Sequence, residues 1–394
     1  MKDFWVAGLQ NQRRDRLKKL AIFIGILIVI IAVIAVILVY MNNLDFRKWC
    51  DGNILKKEIS QKDTKSIDID GDENTQIYAY DKYICLFRKK KLQFYNKLGT
   101  KVEEIDLDIN KAVFSSAGRY LAVSEEGGQK FYLICGKDKI FENEVNGNIN
   151  QIKVSRSGYV AVVMTNSSYK SIVDVYNKDG KQIFKKNLVT SRVADVSISQ
   201  DSKYLAIAEV DISGILIKSS VQVISIDLAQ EKPNESILYK YDAQIDKLIL
   251  NIEYQERDKL VCMYDDSIEI LEDNKSTAIL TVENNKPAFM SINFNNKVAV
   301  LREVSTGDYT SNTYIDFISS ITSKKSEYIV EDVTKSIVAT ENKLAINCGT
   351  DLYVINSDGI LLKKYVSDKE VSDVVLTDSL VGIVYRDKIQ IINL

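Results

Sequence analysis

An uninterrupted apolar run, Leu20–Met41, stands out near the start of the chain and contains no charged side chain. Its only polar group is the hydroxyl of Tyr40. A helix rises 1.5 Å per residue, so about 20 apolar residues cross a hydrocarbon core of roughly 30 Å. The run therefore predicts one transmembrane helix over residues 20–41, between a basic tail (residues 1–19) and a polar juxtamembrane stalk (residues 42–63).

The pattern changes at about Thr64, where short apolar runs begin to alternate with clusters of Gly, Asn, Asp and Ser. Runs of roughly four to eight β-branched, aromatic and aliphatic residues bounded by such clusters are typical of strands. Helical periodicity is nearly absent from this part of the chain. Residues 64–394 are therefore predicted to form an all-β body.

Two short pieces recur within this body. A strand–turn–strand piece appears as AVFSSAGRYLAV, IKVSRSGYVAVV and VSISQDSKYLAI, and its matching serines are Ser115, Ser155 and Ser199. The intervals between these serines are 40 and 44 residues. An Asn-x-x-Gly turn between apolar runs appears as FYNKLGTK, VYNKDGKQ and VINSDGIL, and this pattern predicts hairpins.

The recurring pieces divide the body into blocks with a mean spacing of about 42 residues, as a propeller blade of four strands requires. The blocks begin near Ile77, Ile109, Ile149, Val193, Ile245, Pro287, Val333 and Val371. The last block holds only three strands, whereas an extra strand, KSIDID, precedes the first block. We expect this extra strand to complete the last blade. The prediction is an eight-bladed β-propeller; seven blades are the alternative, and a pair of β-sandwiches is the rival fold.

The S-x-x-G-x-Y-L-A and V-Y-N-x-D-G pieces resemble those of WD40-like and PQQ-like bacterial propellers. Together with the apolar anchor, they make the chain similar to an uncharacterised family of membrane-anchored propellers from low-GC Gram-positive bacteria. The Gly-His and Trp-Asp signatures of true WD40 repeats are missing, as are the Trp-ending repeats of quinoprotein dehydrogenases. The resemblance implies a fold and a location, and it assigns no active-site residue.

Basic residues are denser before the apolar run than after it, as the segment RRDRLKK shows. The positive-inside rule then places the N-terminus in the cytoplasm and the propeller outside the cell. A cleaved signal peptide is the competing interpretation, but its apolar core is shorter and is followed by an Ala-x-Ala-like site, which VYMNNLDF lacks. We therefore expect an uncleaved, single-pass anchor in the cell membrane.

Composition excludes several kinds of chemistry. The chain has no histidine, which removes the commonest general base and metal ligand. A net charge of −2 gives no case for nucleic-acid binding. The five cysteines have no CxxC spacing, and four lie in apolar strand-like runs, which indicates buried thiols. No cofactor or metal ion is therefore expected.

The longest insertions are the best candidates for binding, because loops on a rigid scaffold often carry function. Two are the segments 209–220 and 228–236, and the third is Val304–Tyr314. In the third, polar and aromatic residues could contact a glycan or a protein; these are Thr306, Asp308, Tyr309, Asn312 and Tyr314. The competing interpretation is a long hairpin with solvated polar side chains.

Two acidic parts of the chain are weaker candidates for sites. The segment 68–74 resembles a calcium loop, but its glycine and its twelfth residue do not fit the pattern. The pairs Asp265–Asp266 and Glu272–Asp273 flank a short strand and could serve glycoside hydrolysis if they converged. Gly127–Gly128 and Asn146–Asn148 are predicted to be hairpin turns, without the strand-to-helix context of a phosphate-binding loop.

The sequence therefore favours a binding or scaffold module at the bacterial cell envelope over an enzyme. Its expected partners are the lipid bilayer and an envelope protein or wall glycan. The alternatives are a hydrolase or lyase that uses carboxylates, and a ligand sensor that acts through another membrane protein. Converging carboxylates with perturbed pKa values in the propeller channel would favour catalysis.

Overall fold

The computed structural model describes residues 2–60, 64–69, 75–232, 235–255, 259–281, 289–305 and 311–394, with only the backbone described for residues 2–17, 44 and 60. It contains two compact units, Met1–Glu58 and Ile59–Leu394. The first unit is helical. It comprises α1 (Lys2–Asn42), α2 (Leu44–Trp49) and a π-helical turn (Cys50–Ile54). Within α1, the segment Lys18–Asn42 is long and apolar enough to cross a membrane, a test that a signal sequence also passes.

A polar cluster forms where α1 ends. The hydroxyl of Tyr40 donates to Oδ1 of Asp51 at 2.6 Å, and Nζ of Lys57 lies 2.7 Å from the same oxygen. The guanidinium of Arg47 donates to the carbonyls of Tyr40 (3.1 Å) and Met41 (2.6 Å). The last carbonyls of a helix have no partner within the helix, so Arg47 supplies donors that α1 itself cannot.

The second unit is built from strands that form eight sheets among the described residues. Blades 1–4 follow in chain order. Blade 1 contains β3 (Gln76–Tyr80), β4 (Tyr83–Arg88), β5 (Lys91–Tyr95) and β6 (Lys101–Asp106). Blade 2 contains β7 (Ala112–Ala117), β8 (Tyr120–Glu125), β9 (Lys130–Cys135) and β10 (Asp138–Glu144). Blade 3 contains β11 (Asn148–Val154), β12 (Val160–Thr165), β13 (Ser171–Tyr176) and β14 (Gln182–Leu188). Blade 4 contains β15 (Arg192–Ile198), β16 (Tyr204–Asp211), β17 (Lys218–Ser225) and β18 (Ile237–Asp242).

Blades 5–8 also follow in chain order, and blades 7 and 8 each include a strand from the start of the propeller. Blade 5 contains β19 (Ile249–Tyr254), β20 (Leu260–Tyr264), β21 (Ser267–Glu272) and β22 (Lys275–Thr281). Blade 6 contains β23 (Phe289–Ser291), β24 (Lys297–Ser305), β25 (Ser311–Ser319) and β26 (Lys325–Val330). Blade 7 contains β27 (Ser336–Ala339), β28 (Lys343–Asn347), β29 (Asp351–Asn356), β30 (Leu361–Val366) and the additional β1 (Glu58–Ser60). Blade 8 contains β31 (Asp373–Leu376), β32 (Leu380–Val384), β33 (Lys388–Asn393) and β2 (Lys65–Asp68).

The eight-bladed propeller predicted from the sequence is confirmed, together with its mode of closure. Strand β2 pairs antiparallel with β33, from Lys65 opposite Ile391 to Asp68 opposite Lys388. The chain therefore closes its last blade with a strand from its beginning. This pairing covers an edge that would otherwise offer unpaired backbone groups.

The hydrophobic core lies between neighbouring blades. At the closing seam, Ile84 and Leu86 of blade 1 pack with Ile389 and Ile391 of blade 8 and with Ile67 of β2. All five side chains are buried. Apolar residues on both faces of each middle strand supply such seams, which explains the short, continuous apolar runs in the sequence.

The repeated turns match the sequence prediction, with two exceptions. In the first Asn-x-x-Gly turn, Oδ1 of Asn96 accepts from the N–H groups of Leu98 (2.9 Å) and Thr100 (3.2 Å), and Gly99 has φ +75°. Gly127 lies in the β8–β9 hairpin as predicted. The segment Asn146–Gly147, however, links blade 2 to blade 3 and is not a hairpin, and segment 228–236 begins within a helix, α3 (Ile226–Glu231), that the strand pattern did not reveal.

Candidate functional site

The propeller has two distinct ends, because its strands alternate in direction within every blade. The turns from first to second strand and from third to fourth strand lie at one end, here called the mouth face. The turns from second to third strand and the links between blades lie at the other end, here called the link face. A cavity of about 690 Å³ opens at the mouth face, lined by first strands of the blades and by the turns that follow them.

A cluster of three charges, one from each of blades 3, 4 and 5, lies at one side of this cavity; Lys153 and Glu253 line it, and Asp195 is buried behind them. Nζ of Lys153 lies 3.5 Å from Oδ1 of Asp195 and 3.8 Å from Oε2 of Glu253. Asp195 is almost completely buried and also accepts from the side-chain amide of Gln151 and from the N–H of Ile252, the latter at 3.0 Å. We call Lys153, Asp195 and Glu253 the channel triad.

Irregular strand pairing accompanies the channel triad. The ladder between first and second strands shifts register in blades 3, 4 and 5, just before Gln151, Asp195 and Asn251. Among the described pairs, the same ladder in the other five blades has no shift. A β-bulge changes which face of a strand a side chain occupies. The three bulges lie immediately before the residues that supply the triad and its amide partners.

Burial and neighbouring charges shift the pKa values of Glu253 and Lys153 in opposite directions. Lys153 and Glu253 lie deep among protein atoms but keep 26% and 32% of their side-chain surface open to the channel. Burial raises the pKa of Glu253, and the attraction of Lys153 lowers it only in part. Burial would lower the pKa of Lys153, but Asp195 and Glu253 together raise it. The lysine therefore stays charged, while Glu253 holds a proton more readily than an ordinary glutamate does.

Aromatic and aliphatic side chains from four other blades also line the cavity. Tyr78 of blade 1 and Phe114 of blade 2 stack with ring centroids 4.9 Å apart, and the Tyr78 hydroxyl lies 3.1 Å from Oγ of Ser116. Val338 of blade 7 and Val375 of blade 8 contribute aliphatic surface. The cavity is therefore amphipathic: apolar side chains from blades 1, 2, 7 and 8 lie beside polar groups at its rim and beside Lys153 and Glu253.

A polar strap crosses the mouth of the cavity. The guanidinium of Arg156, in the turn after β11, forms an ion pair with the carboxylate of Glu341, in the turn after β27. Arg156 also lies 3.4 Å from Oδ1 of Asn295, whose N–H donates to the Glu341 carbonyl at 3.0 Å. Blades 3 and 7 are opposite each other in a ring of eight, so the strap divides the mouth into two openings.

The chemistry available in the cavity is that of hydrogen bonding, ion pairing and stacking. Among the described residues, no group of three or more Cys, Asp or Glu side chains could hold a metal ion. All five cysteines are free; Cys50, Cys85 and Cys262 are buried, whereas Cys135 and Cys348 are partly buried. Burial raises the pKa of Cys262 to about 12, so this thiol stays protonated and unreactive at neutral pH.

The residues predicted as a binding loop are only partly described. Thr306, Asp308 and Tyr309 lie outside the described residues. Asn312 and Tyr314 belong to β25 rather than to a loop, because β24 extends to Ser305 and β25 begins at Ser311. The guanidinium of Arg302 lies over the Tyr314 ring, 5.8 Å from its centroid. Neither Asn312 nor Tyr314 lines the mouth-face cavity.

The acidic segments do not form the sites considered for them. Residues 70–74 of the calcium-like segment lie outside the described residues, and Asp68 belongs to β2. The two acidic pairs stand at opposite ends of β21, which separates them by about 20 Å at 3.3 Å per residue. Glycoside hydrolysis needs carboxylates within about 10 Å. Asp266 instead lies 3.4 Å from Nζ of Lys247, and Glu272 lies 3.8 Å from Nζ of Lys259.

The channel triad is not evident from the sequence. Its members are far apart in the chain, and each is a single charge within an apolar strand, in QIKVS, ADVSI and NIEYQ. A signal was nevertheless present, since a charged or amide side chain recurs in the first strand of three successive blocks. In blocks 7 and 8 the corresponding strands, SIVA and DVVL, are apolar toward the cavity.

Comparison with solved structures finds several chains of similar structure. The structure is similar to BamB from Moraxella catarrhalis (11% identity, TM-score 0.46), with 83% of this chain and 95% of that chain covered. It is also similar to AztD from Citrobacter koseri (11%, 0.47), with 78% and 94% covered. A third similar structure is the dihydro-heme d1 dehydrogenase NirN in complex with DHE (11%, 0.52), with 81% and 70% covered. At this identity the similarity shows the fold alone.

Comparison with protein families gives the assignment of the chain. No curated protein matches the sequence. A family model described as a family of unknown function, DUF5711, matches residues 55–394, which is the whole propeller. The propeller fold that the resemblance implied is confirmed by the eight sheets, and the family match shows that the chain belongs to the DUF5711 family.

Proposed function

We propose that this protein is a binding module at the bacterial cell envelope, anchored in the membrane by α1, with its recognition site at the mouth face of an extracytoplasmic propeller. The observation that carries the proposal is the amphipathic cavity of about 690 Å³ at the centre of a closed, rigid ring. Ligand sites are typically concave and mostly apolar, with a few polar groups that fix orientation. The mouth-face cavity is concave and combines apolar surface with polar groups that can orient a ligand, although its polar share is larger than in a typical small-molecule site.

The geometry suggests how a partner would bind. The Tyr78–Phe114 stack offers a flat surface to a sugar ring or an aromatic side chain, while Glu253 and Arg156 offer an acceptor and a donor. A wall glycan or an extended segment of an envelope protein could insert beside the Arg156–Glu341 strap. The lining side chains sit on strands whose pairing fixes their positions, so little ordering is needed on binding.

A photo-crosslinking experiment tests the recognition site. Full-length protein would carry a benzophenone amino acid at Arg119, an exposed residue that lines the cavity, or at Lys97, an exposed residue of a mouth-face turn outside it. We expect one dominant envelope partner or a heterogeneous glycan adduct from position 119 and none from position 97. Equal adducts from both positions, or adducts from neither, would contradict recognition at the cavity.

A labelling experiment tests the anchor and its orientation separately. Cysteine at Lys97 should react with a membrane-impermeant maleimide in intact cells, whereas cysteine at Gln12 should react only after permeabilisation. The native protein, in which three of the five thiols are buried, provides the background. Release of the propeller by alkaline extraction would indicate a cleaved signal sequence, and the reverse labelling pattern would overturn the proposed topology.

Carboxylate chemistry is the second candidate function, and Glu253 is the observation that favours it. Its raised pKa and its access to the cavity suit a general acid. Asp195, however, is engaged by Lys153, Gln151 and the N–H of Ile252, and is almost completely buried. A mechanism with two carboxylates needs both to reach the substrate, so binding is the better-supported proposal. Turnover of a wall glycan that Glu253→Gln abolishes would reverse this order.

A further inference from the structure

Exposed aliphatic side chains are concentrated at one place on the link face. They come from three loops around blade 4 and are Val189, Ile212, Ile215, Leu216 and Ile245. Ile215 is fully exposed, and Val189 and Ile245 are each 64% exposed. Single exposed apolar residues are ordinary, but several on loops of one blade and its two links favour an interaction surface. We call this set the apolar loop cluster.

Hydrogen bonds fix the three loops on the scaffold of blade 4. The N–H of Ile217 donates to Oδ1 of Asp246 at 3.1 Å, and the N–H of Asp246 donates to the Ile217 carbonyl at 3.1 Å. The hydroxyl of Ser191 donates to Oε2 of Glu209 at 2.9 Å. The loop that carries Ile215 is thus joined to the link that follows blade 4, and the link before blade 4 is joined to β16. The cluster is therefore a preformed surface.

The loop between β16 and β17, which carries Ile215, forms two hydrogen bonds within itself. Oδ1 of Asp211 accepts from the N–H of Ser213 at 2.9 Å and from its hydroxyl at 2.6 Å. These bonds lower the pKa of Asp211, so its carboxylate stays charged at the base of this loop. Unpaired polar groups are costly in an apolar medium. The exposed side chains of Ile212, Ile215 and Leu216 can therefore reach the boundary between headgroups and acyl chains, where the loop backbone still meets water, and the charged Asp211 limits deeper entry.

We infer that the apolar loop cluster docks the propeller on the lipid bilayer surface. The inference rests on the proposed membrane anchoring, since the same chain carries a helix that can span a bilayer. The cluster is aliphatic and projects outward, whereas the centres of protein–protein interfaces are enriched in Trp, Tyr and Arg. Aliphatic side chains on a projecting loop suit shallow burial at the boundary between headgroups and acyl chains.

The experiment uses the full-length protein reconstituted into phosphatidylcholine vesicles. An environment-sensitive fluorophore would be attached to Ile215→Cys, with Leu98→Cys as the matched control. Leu98 is also an exposed aliphatic residue in a turn (59% exposed), but it lies on the mouth face. Native protein treated with the same reagent gives the background. Vesicles with bromine atoms on the lipid acyl chains would be compared with unmodified vesicles, because bromine quenches only fluorophores that reach the acyl chains.

The expected result is a blue-shifted emission at position 215 that brominated lipid quenches, with a water-like and unquenched emission at position 98. The substitutions Ile212→Ser and Leu216→Ser, both at exposed positions, should remove the blue shift without changing the far-ultraviolet circular dichroism. Water-like emission at position 215 would overturn the inference. A blue shift without quenching would also overturn it and would assign the cluster to a protein contact. If alkaline extraction releases the whole chain from the vesicles, the proposed anchoring fails instead.

Discussion

Replacement of Lys153 by methionine tests whether the channel triad contributes to stability as well as to recognition. The change keeps most of the side-chain volume and removes the one cation between two carboxylates. Asp195 would keep its two hydrogen bonds from Gln151 and Ile252, but it would face Glu253 with no opposite charge between them. We expect a clear loss of stability, because a buried charge without its partner costs more than the pair is worth.

The size of this stability loss can be estimated from the distances within the triad. At an effective dielectric constant of about 20, unit charges at 3.5 and 3.8 Å attract by about 4.7 and 4.4 kcal/mol. Dehydration of the ammonium offsets several kcal/mol of this gain, and channel water reaches a quarter of the Lys153 side chain. The expected net cost of Lys153→Met is therefore about 3 kcal/mol, within the range measured when buried ion pairs are broken.

The assay is urea unfolding of the full-length protein in detergent, followed by far-ultraviolet circular dichroism. Tryptophan fluorescence would not report on the propeller, because both tryptophans, Trp5 and Trp49, precede it. Lys139→Met is the matched control, since Lys139 and Glu142 form an exposed ion pair at 3.1 Å, worth less than about 1 kcal/mol. Equal costs for Lys153→Met and Lys139→Met would refute the reasoning and would show that channel water screens the triad fully.

Three further substitutions test other parts of the structure by the same assay. Burial raises the pKa of Glu253 in the folded state, so the native protein loses stability when this carboxyl ionises as the pH rises. Glu253→Gln cannot ionise. Its free energy of unfolding should therefore exceed that of the native protein by more at pH 8 than at pH 4. Gln255→Leu should cost about 3 kcal/mol, since this buried amide makes three hydrogen bonds across the seam between blades 5 and 6, whereas exposed Gln244→Leu should cost little. Gly99→Ala should cost about 2 kcal/mol or more, because a Cβ there would meet a β2 carbonyl at 2.5 Å in addition to the positive-φ strain. Gly127→Ala, with similar φ and open space, should cost only the strain. The first prediction is contradicted if the difference in stability between Glu253→Gln and the native protein is the same at both pH values. The other two are contradicted if Gln255→Leu costs no more than Gln244→Leu, or Gly99→Ala no more than Gly127→Ala.

The fold could be predicted from the sequence because its determinants are local and repeated. Each Asn-x-x-Gly turn carries its own hydrogen bonds, as at Asn177 and Asn356, where Oδ1 accepts from the N–H groups two and four residues later. Each apolar run needs only a neighbouring blade to bury it. The closing strand was also predictable, since a three-stranded last block and an extra first strand leave one natural pairing.

The candidate site could not be predicted because it depends on register. Lys153 and Glu253 are a hundred residues apart, and the ring closure brings them to 3.8 Å. The bulges before Gln151, Asp195 and Asn251 decide which side chains enter the channel. If side chains simply alternated between the two faces of each strand from its first residue, these residues would be assigned to the face away from the channel. A bulge has no sequence signature as clear as that of a turn.

The cavity and the apolar loop cluster lie at opposite ends of the same rigid ring, and this placement connects the two proposals. Docking through Ile215 on the link face would turn the mouth face, with its Arg156–Glu341 strap, away from the bilayer. A partner would then approach the cavity from the side of the cell wall without competing with lipid. If both features lay on one face, docking on the membrane would block access of a ligand to the cavity. The two sites can therefore act at the same time, and the crosslinking yield at position 119 should be unchanged when Ile212 and Leu216 are replaced by serine in the anchored protein.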